Sequence, residues 1–239
     1  MIPLGSAAEA GQVLGHKAQL AARLAAEPAL GARLKELRAW QAARLERTYA
    51  DQRADPRTAR AMEFFLSDLY GPRDFTQRDA DLARAWGVLR RTLPRSALQA
   101  LLLAIELDAL SEELDLAVAE RLPAGPVTAE SYAHAYREVG RPEARRRQIA
   151  LILDIGERLD RAVRTPFVGL ALRAARAPAR FMGFGALQDF IERGFAAFAD
   201  MPSAAPLLET IGEREGAFMT SLFAQARPAP AAAIDNGGV

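Results

Sequence analysis

The fold of this chain is restricted most by the spacing of its apolar residues, which recur three and four positions apart with no convincing run of single alternation. That period places them on one face of a helix, not of a strand. The residue choice agrees: alanine and arginine are abundant and β-branched residues scarce, and such side chains lose little entropy in a helix. Asp55-Pro56, Ser96 with Gln99, Pro126-Val127-Thr128, Arg141-Pro142-Glu143 and Thr165-Pro166 read as N-caps or first-turn prolines. The pattern predicts helices near 8–26, 29–53, 56–70, 77–92, 96–121, 128–139, 143–163, 166–176, 185–200 and 204–225. The tail "RPAPAAAIDNGGV" is rich in Pro, Ala and Gly and is expected to be disordered. No solenoid-length repeat and no linker divides the rest. The expected architecture is one all-α domain over residues 1–226, orthogonal or bundle-like, with about nine to ten helices and a disordered tail at 227–239.

Composition narrows the function classes. Basic and acidic residues number 31 and 30, which argues against a nucleic-acid partner recruited by overall charge. The chain has no cysteine, so disulfide scaffolds, thiolate metal sites and cysteine nucleophiles are excluded. The start "MIPLGSAAEAGQVLGHKAQ" has no basic stretch followed by an apolar run, and no eighteen-residue apolar stretch is free of charge. A signal peptide and a membrane span are therefore not expected, and the expected location is cytoplasmic. HExxH, GxSxG and GxxxxGK[ST] motifs are all missing, and "GFGALQ" at 183–188 follows no strand, so its glycines are expected to open a helix after a turn. Of the two histidines, His16 sits at the edge of its helix stripe. His134 shares a helix with Glu130 and Glu138 at i, i+4, i+8 spacing, but one helix rarely supplies a whole metal site. A solvated histidine is the expectation, with no metal and no cofactor.

The densest polar motif is "FFLSDLYGPRDFTQRD", residues 64–79. Ala59, Met62, Phe65, Leu66 and Leu69 share one helical face, and Phe64 projects away from it toward a second partner or a loop. Gly71-Pro72 reads as a helix stop and Thr76-x-x-Asp79 as a capping box. Asp68, Tyr70, Asp74 and Arg78 remain as candidates either to brace this corner or to bind a ligand. This motif, with "LQDFIERGFAAF" at 187–198, resembles an uncharacterised bacterial family of all-helical proteins with an FFL-x-DLYGP-x-DF-x-x-RD signature. The resemblance runs over roughly residues 16 to 225. It implies a domain of unknown function and carries over no activity, cofactor or catalytic residue.

Two further features bear on chemistry. In "LLLAIELDALSEELDLAVAERL", Glu106 and Glu113 fall in the middle of a broad apolar arc, about 10 Å apart along the axis. Lone buried carboxylates are costly, so each needs a cation, several donors or a raised pKa. Residues 98–120 carry six acids and no Lys or Arg, whereas 141–180 carry ten arginines against four acids, so these segments should pack together as Arg–Glu pairs. The alternative is a polar cavity at Glu106 and Glu113, with Glu106 a general acid or base; Gln41, on the stripe of Leu30, Leu34, Leu37 and Leu45, and Arg44 beside it point to an inward polar patch. The second feature is the apolar segment 166–180, interrupted by Arg173, Arg176 and Arg180, which also suits a peripheral membrane helix. The sequence favours an accessory or interaction module, compatible with a homo-oligomer or a protein partner. A small-ligand-binding protein or helical enzyme, and a membrane-surface protein, are the alternatives.

Overall fold

In the computed structural model, which describes residues 7–69 and 95–224, the described residues form ten α-helices and one π-helical turn, with no strand. They are α1 (Ala7–Ala26), α2 (Pro28–Thr48), α3 (Ala50–Ala54), α4 (Ala59–Phe64), the π turn Phe65–Leu69, α5 (Arg95–Ala119), α6 (Ala129–Val139), α7 (Pro142–Arg164), α8 (Val168–Phe181), α9 (Gly185–Ala199) and α10 (Ala205–Ala224). Prolines occupy the first turns of α2 and α7, where a missing N–H costs nothing. Thr128 caps α6 with a reciprocal box: Ser131 N–H donates to its Oγ1 at 3.1 Å, and its own N–H donates to Ser131 Oγ at 2.9 Å.

Three predicted elements differ. The helix expected over 29–53 breaks at Tyr49, where the backbone reaches φ −112° and ψ 22°. Arg214 of α10 holds the break by donating to the Thr48 carbonyl at 2.6 Å and to both Asp51 carboxylate oxygens at 2.7 Å. The helix expected from residue 56 begins at Ala59, because Asp55 spends its carboxylate on the Arg57 N–H and guanidinium. The helix expected to stop at 176 runs through Pro178 to Phe181. Its end is a Schellman turn: Phe184 N–H reaches the Ala179 carbonyl at 2.8 Å and Gly183 N–H the Arg180 carbonyl at 3.0 Å, with Gly183 at φ +78°. The next helix opens at Gly185, as expected for "GFGALQ".

Helix α5 is the spine, packing against α7 on one side and α1, α2 and α6 on others. Two cores flank it. One gathers Met62, Phe65, Leu103, Leu151, Phe198 and Leu208; the other gathers Leu37, Leu116, Val118, Tyr132, Tyr136 and Leu222. Side chains as fully buried as Leu37 or Leu114 contribute roughly 1.5–3 kcal/mol each. Helices α2, α5 and α10 place residues in both cores. Phe64 finds its second partner in α9, lying over Gly194 with its ring centroid 5.5 Å from that of Phe190.

The acidic and basic segments do pack together as α5 against α7. Glu106 takes a two-pronged contact from Arg147, with Nε and Nη2 donating at 2.8 and 2.9 Å. Glu113 accepts from Arg141 at 2.5 Å and lies 3.4 Å from His16 Nε2. The expected burial of the two carboxylates is corrected: their side chains are 31 % and 35 % exposed. They lie at the rim of the helix pair, where Arg147 of α7 and Arg141 just before it reach over from solvent instead of being drawn into the core.

Candidate functional site

Inside the helix packing, three apolar stripes are each interrupted by charge. On α2, Gln41 and Arg44 share a face with Leu34, Leu37 and Leu45; on α10, Glu215 lies in line with Leu208, Ile211 and Leu222; on α7, Arg145 lies in line with Ile149 and Ile152. These interruptions meet at one level of the fold. Together with Asp115 of α5, Tyr132 and Tyr136 of α6, and Gln148 of α7, they line a cavity of about 60 Å³.

The two carboxylates of the cavity have their own cations. Arg44 donates through Nη1 and Nη2 to the two oxygens of Glu215 at 2.7 and 2.9 Å, and the Tyr49 hydroxyl adds a third bond at 2.9 Å. Burial pushes the Arg44 guanidinium down, and the Glu215 hydrogen bonds more than offset it, holding the group above its ordinary value. Its charge also lies 4.3 Å over the Phe218 ring. Asp115 accepts from Gln41 Nε2 at 2.9 Å and lies 3.6 Å from Arg38 Nε.

Arg145 has no such counterpart. It is 5 % exposed, and Nη1 donates to Gln148 Oε1 at 3.3 Å, while Gln148 Nε2 is tied to the Ser111 hydroxyl at 2.8 Å. The guanidinium lies 4.4 Å from the centre of the Tyr136 ring. Among the described residues no carboxylate pairs with it, and its Nε and Nη2 have no hydrogen-bond partner. Leaving charge and donors buried in this way costs several kcal/mol in a site with no ligand role. Burial raises the hydroxyls of Tyr132 and Tyr136, the latter to about 12, so both remain O–H donors at neutral pH.

Of the residues singled out from sequence, Gln41 and Arg44 line this cavity. Glu106 and Glu113 do not; each lies at the α5–α7 rim in its arginine pair. The Asp68 side chain, with Tyr70, Asp74 and Arg78, lies outside the described residues, as do the Gly71-Pro72 and Thr76–Asp79 signals. His134 is solvated, 3.4 Å from Glu138, and among the described residues no three His, Asp or Glu side chains converge as metal ligands. No helix among them is long and apolar enough to cross a membrane.

A family model described as a domain of unknown function, DUF8198, matches residues 20–229. The chain belongs to the DUF8198 family. The matched span holds every helix from α2 to α10 and all residues of the cavity in this DUF8198 chain. Neither a curated protein nor a solved structure matches the chain.

Sequence reasoning missed Arg145, Glu215, Asp115 and the two tyrosines. The signal was available for two of them. Arg145 and Glu215 stand at stripe positions, i−4 and i−7 from Ile149 and Ile152, and i+4 and i+7 from Ile211 and Leu208. Pooling the arginines of 141–180 by charge hid the one that points inward. The tyrosines share an apolar helix face with Ala135 and Val139, a pattern that their rings alone explain.

Proposed function

We propose that this DUF8198 protein binds a small polar ligand in the cavity between α2, α5, α6, α7 and α10. The observation that carries the reading is the buried Arg145 guanidinium, which has two donors without a hydrogen-bond partner and no carboxylate paired with it among the described residues. A purely structural arginine at this depth is better served by a carboxylate, as Glu215 serves Arg44. The pocket expected around Glu106 moves to Arg145, and with it the chemistry changes from carboxylate to cation. Binding, with no bond made or broken, accounts for the groups present. The reading takes residues 1–226 as one folded unit working in the cytoplasm. Native mass spectrometry of gently purified protein, paired with a thermal-shift panel of small polar molecules, tests it. A retained mass, or a raised unfolding midpoint with at least one class of molecule, is expected; a bare chain with no response to any class overturns it.

A second reading, contact with a membrane surface, is favoured by α8. Phe167, at its N-cap, is 80 % exposed, Leu170 58 % and Phe181 94 %, and the latter two fall on one face of the helix. Arg173 and the paired Arg176 and Arg180 flank it, with Glu192 and Asp189 cancelling most of that charge. The apolar face therefore has to carry the attachment. Co-sedimentation with vesicles that is lost on Phe167→Ser with Phe181→Ser supports this role, and absence of the wild-type protein from the pellet removes it.

A further inference from the structure

Resting on the ligand-binding reading above, we infer that the cavity takes a short monocarboxylate, gripped by the Nε–Nη2 edge of Arg145. The two unpartnered donors are not scattered over the guanidinium. They are the pair on one edge, whose parallel N–H bonds match the two oxygens of a carboxylate. The same protein uses that edge in just this way elsewhere: Arg147 grips Glu106 through Nε and Nη2 at 2.8 and 2.9 Å, and Arg158 turns the same two atoms to Asp154 at 2.8 and 3.4 Å. Arg145 is the buried arginine whose fork meets no such group among the described residues.

Charge sets the ligand at one negative unit. Glu215 is matched by Arg44 and Asp115 by Arg38, so among the described residues the surplus charge at the cavity is that of Arg145. A monoanion cancels it, whereas a dianion such as hydrogen phosphate leaves a net negative charge in a half-buried space. Two observations bear on the shape. The Arg145 guanidinium lies over the Tyr136 ring, 4.4 Å from its centre, and donates through Nη1 to Gln148; its Nε and Nη2 are closed to solvent, so a carboxylate meets them by displacing the side chains that cover them. A volume of about 60 Å³ holds about four to six water-sized groups, at roughly 10–15 Å³ each. That favours formate, acetate, propionate or a comparably small 2-oxo or hydroxy acid over a nucleotide or a sugar phosphate. The apolar side of the cavity, Ile149, Ile152 and Met219, suits the short carbon end of such an acid.

The test is titration of the full-length protein with sodium formate, acetate, propionate, chloride and phosphate at matched ionic strength, followed by unfolding midpoint and by calorimetry. A saturable, one-to-one response to at least one carboxylate is expected, absent with chloride and phosphate. Arg145→Lys keeps the charge and loses the fork, and should weaken that response at least tenfold. In wild-type protein labelled at arginine ¹⁵Nε, the Arg145 Nε–H resonance should move on adding the carboxylate and stay fixed with chloride, a readout that needs no variant to fold. Equal binding by wild type and Arg145→Lys, or an unmoved Arg145 resonance at saturating carboxylate, overturns the inference. Saturable binding of phosphate, or of an uncharged molecule, in place of any carboxylate overturns the ligand class while leaving the broader ligand-binding reading intact. Failure of all five salts overturns the inference, and the ligand-binding reading falls with it only where the wider panel of small polar molecules also gives no response.

Discussion

At the scale of single residues, stability and ligand chemistry separate on burial. Glu215 neutralises a guanidinium in a site where both side chains are mostly shielded, so Glu215→Ala leaves a buried charge behind and should cost about 3–5 kcal/mol. Glu106 makes an ion pair of similar geometry at the rim, and Glu106→Ala should cost less than about 1 kcal/mol. Urea unfolding of the two variants checks the ranking, and equal losses would contradict the placement of the cavity. Tyr136 gives a pH signature. Its hydroxyl is held up at about 12 by burial, against an ordinary 10.0, so the unfolded chain ionises first as pH rises. Stability should be intact below pH 10 and fall between pH 10 and 12, by an amount on the order of 2–3 kcal/mol. Tyr136→Phe should flatten that limb of the unfolding profile.

At the scale of elements, two contacts are open to direct challenge. Gly194 lets the Phe64 ring rest on α9, and a Cβ there would meet the ring at 2.8 Å. Alanine in place of glycine stabilises an exposed helix by about 1 kcal/mol, but here the overpacking should reverse the sign and cost about 1–3 kcal/mol. A stabilised Gly194→Ala would show that α4 and α9 do not touch as described. Helix α8 is tied to α9 through Glu192, which accepts from Arg176 and from Gln188, while Gln188 also donates to the Leu172 carbonyl. The Arg176 guanidinium, with help from Gln188, holds the Glu192 carboxyl at about 2, against an ordinary 4.5. This contribution is complete above pH 4.5 and lost as pH falls toward 2. Denaturant unfolding across that window should show a shallower acid slope for Glu192→Gln than for wild type. These elements also mark what the sequence made legible. Helix period, first-turn prolines and the glycines at 183–185 located most of the helices because each acts within a few residues. The break at Tyr49 was not legible, since it is held by Arg214 from a helix more than 160 positions away.

For the whole molecule, the same distinction between local and distant causes separates fold from site. The all-α class and the pairing of acidic α5 with basic α7 follow from composition and period. The cavity does not, because its five helices are brought together only by packing. Gln41 and Arg44 were visible as polar residues on an apolar stripe, and Arg145 and Glu215 obey the same rule. Glu106 and Glu113 looked more buried than they are because a helix wheel shows which face is apolar but not where a neighbouring helix ends. The central claim is that Arg145 is left without a carboxylate among the described residues so that it can hold one from a ligand. Crystals grown in sodium acetate test it most directly. The account predicts planar density in the cavity with its two oxygens about 2.7–2.9 Å from Arg145 Nε and Nη2. An Arg145 edge turned onto a carboxylate of the protein itself, with acetate only at the surface, would contradict it.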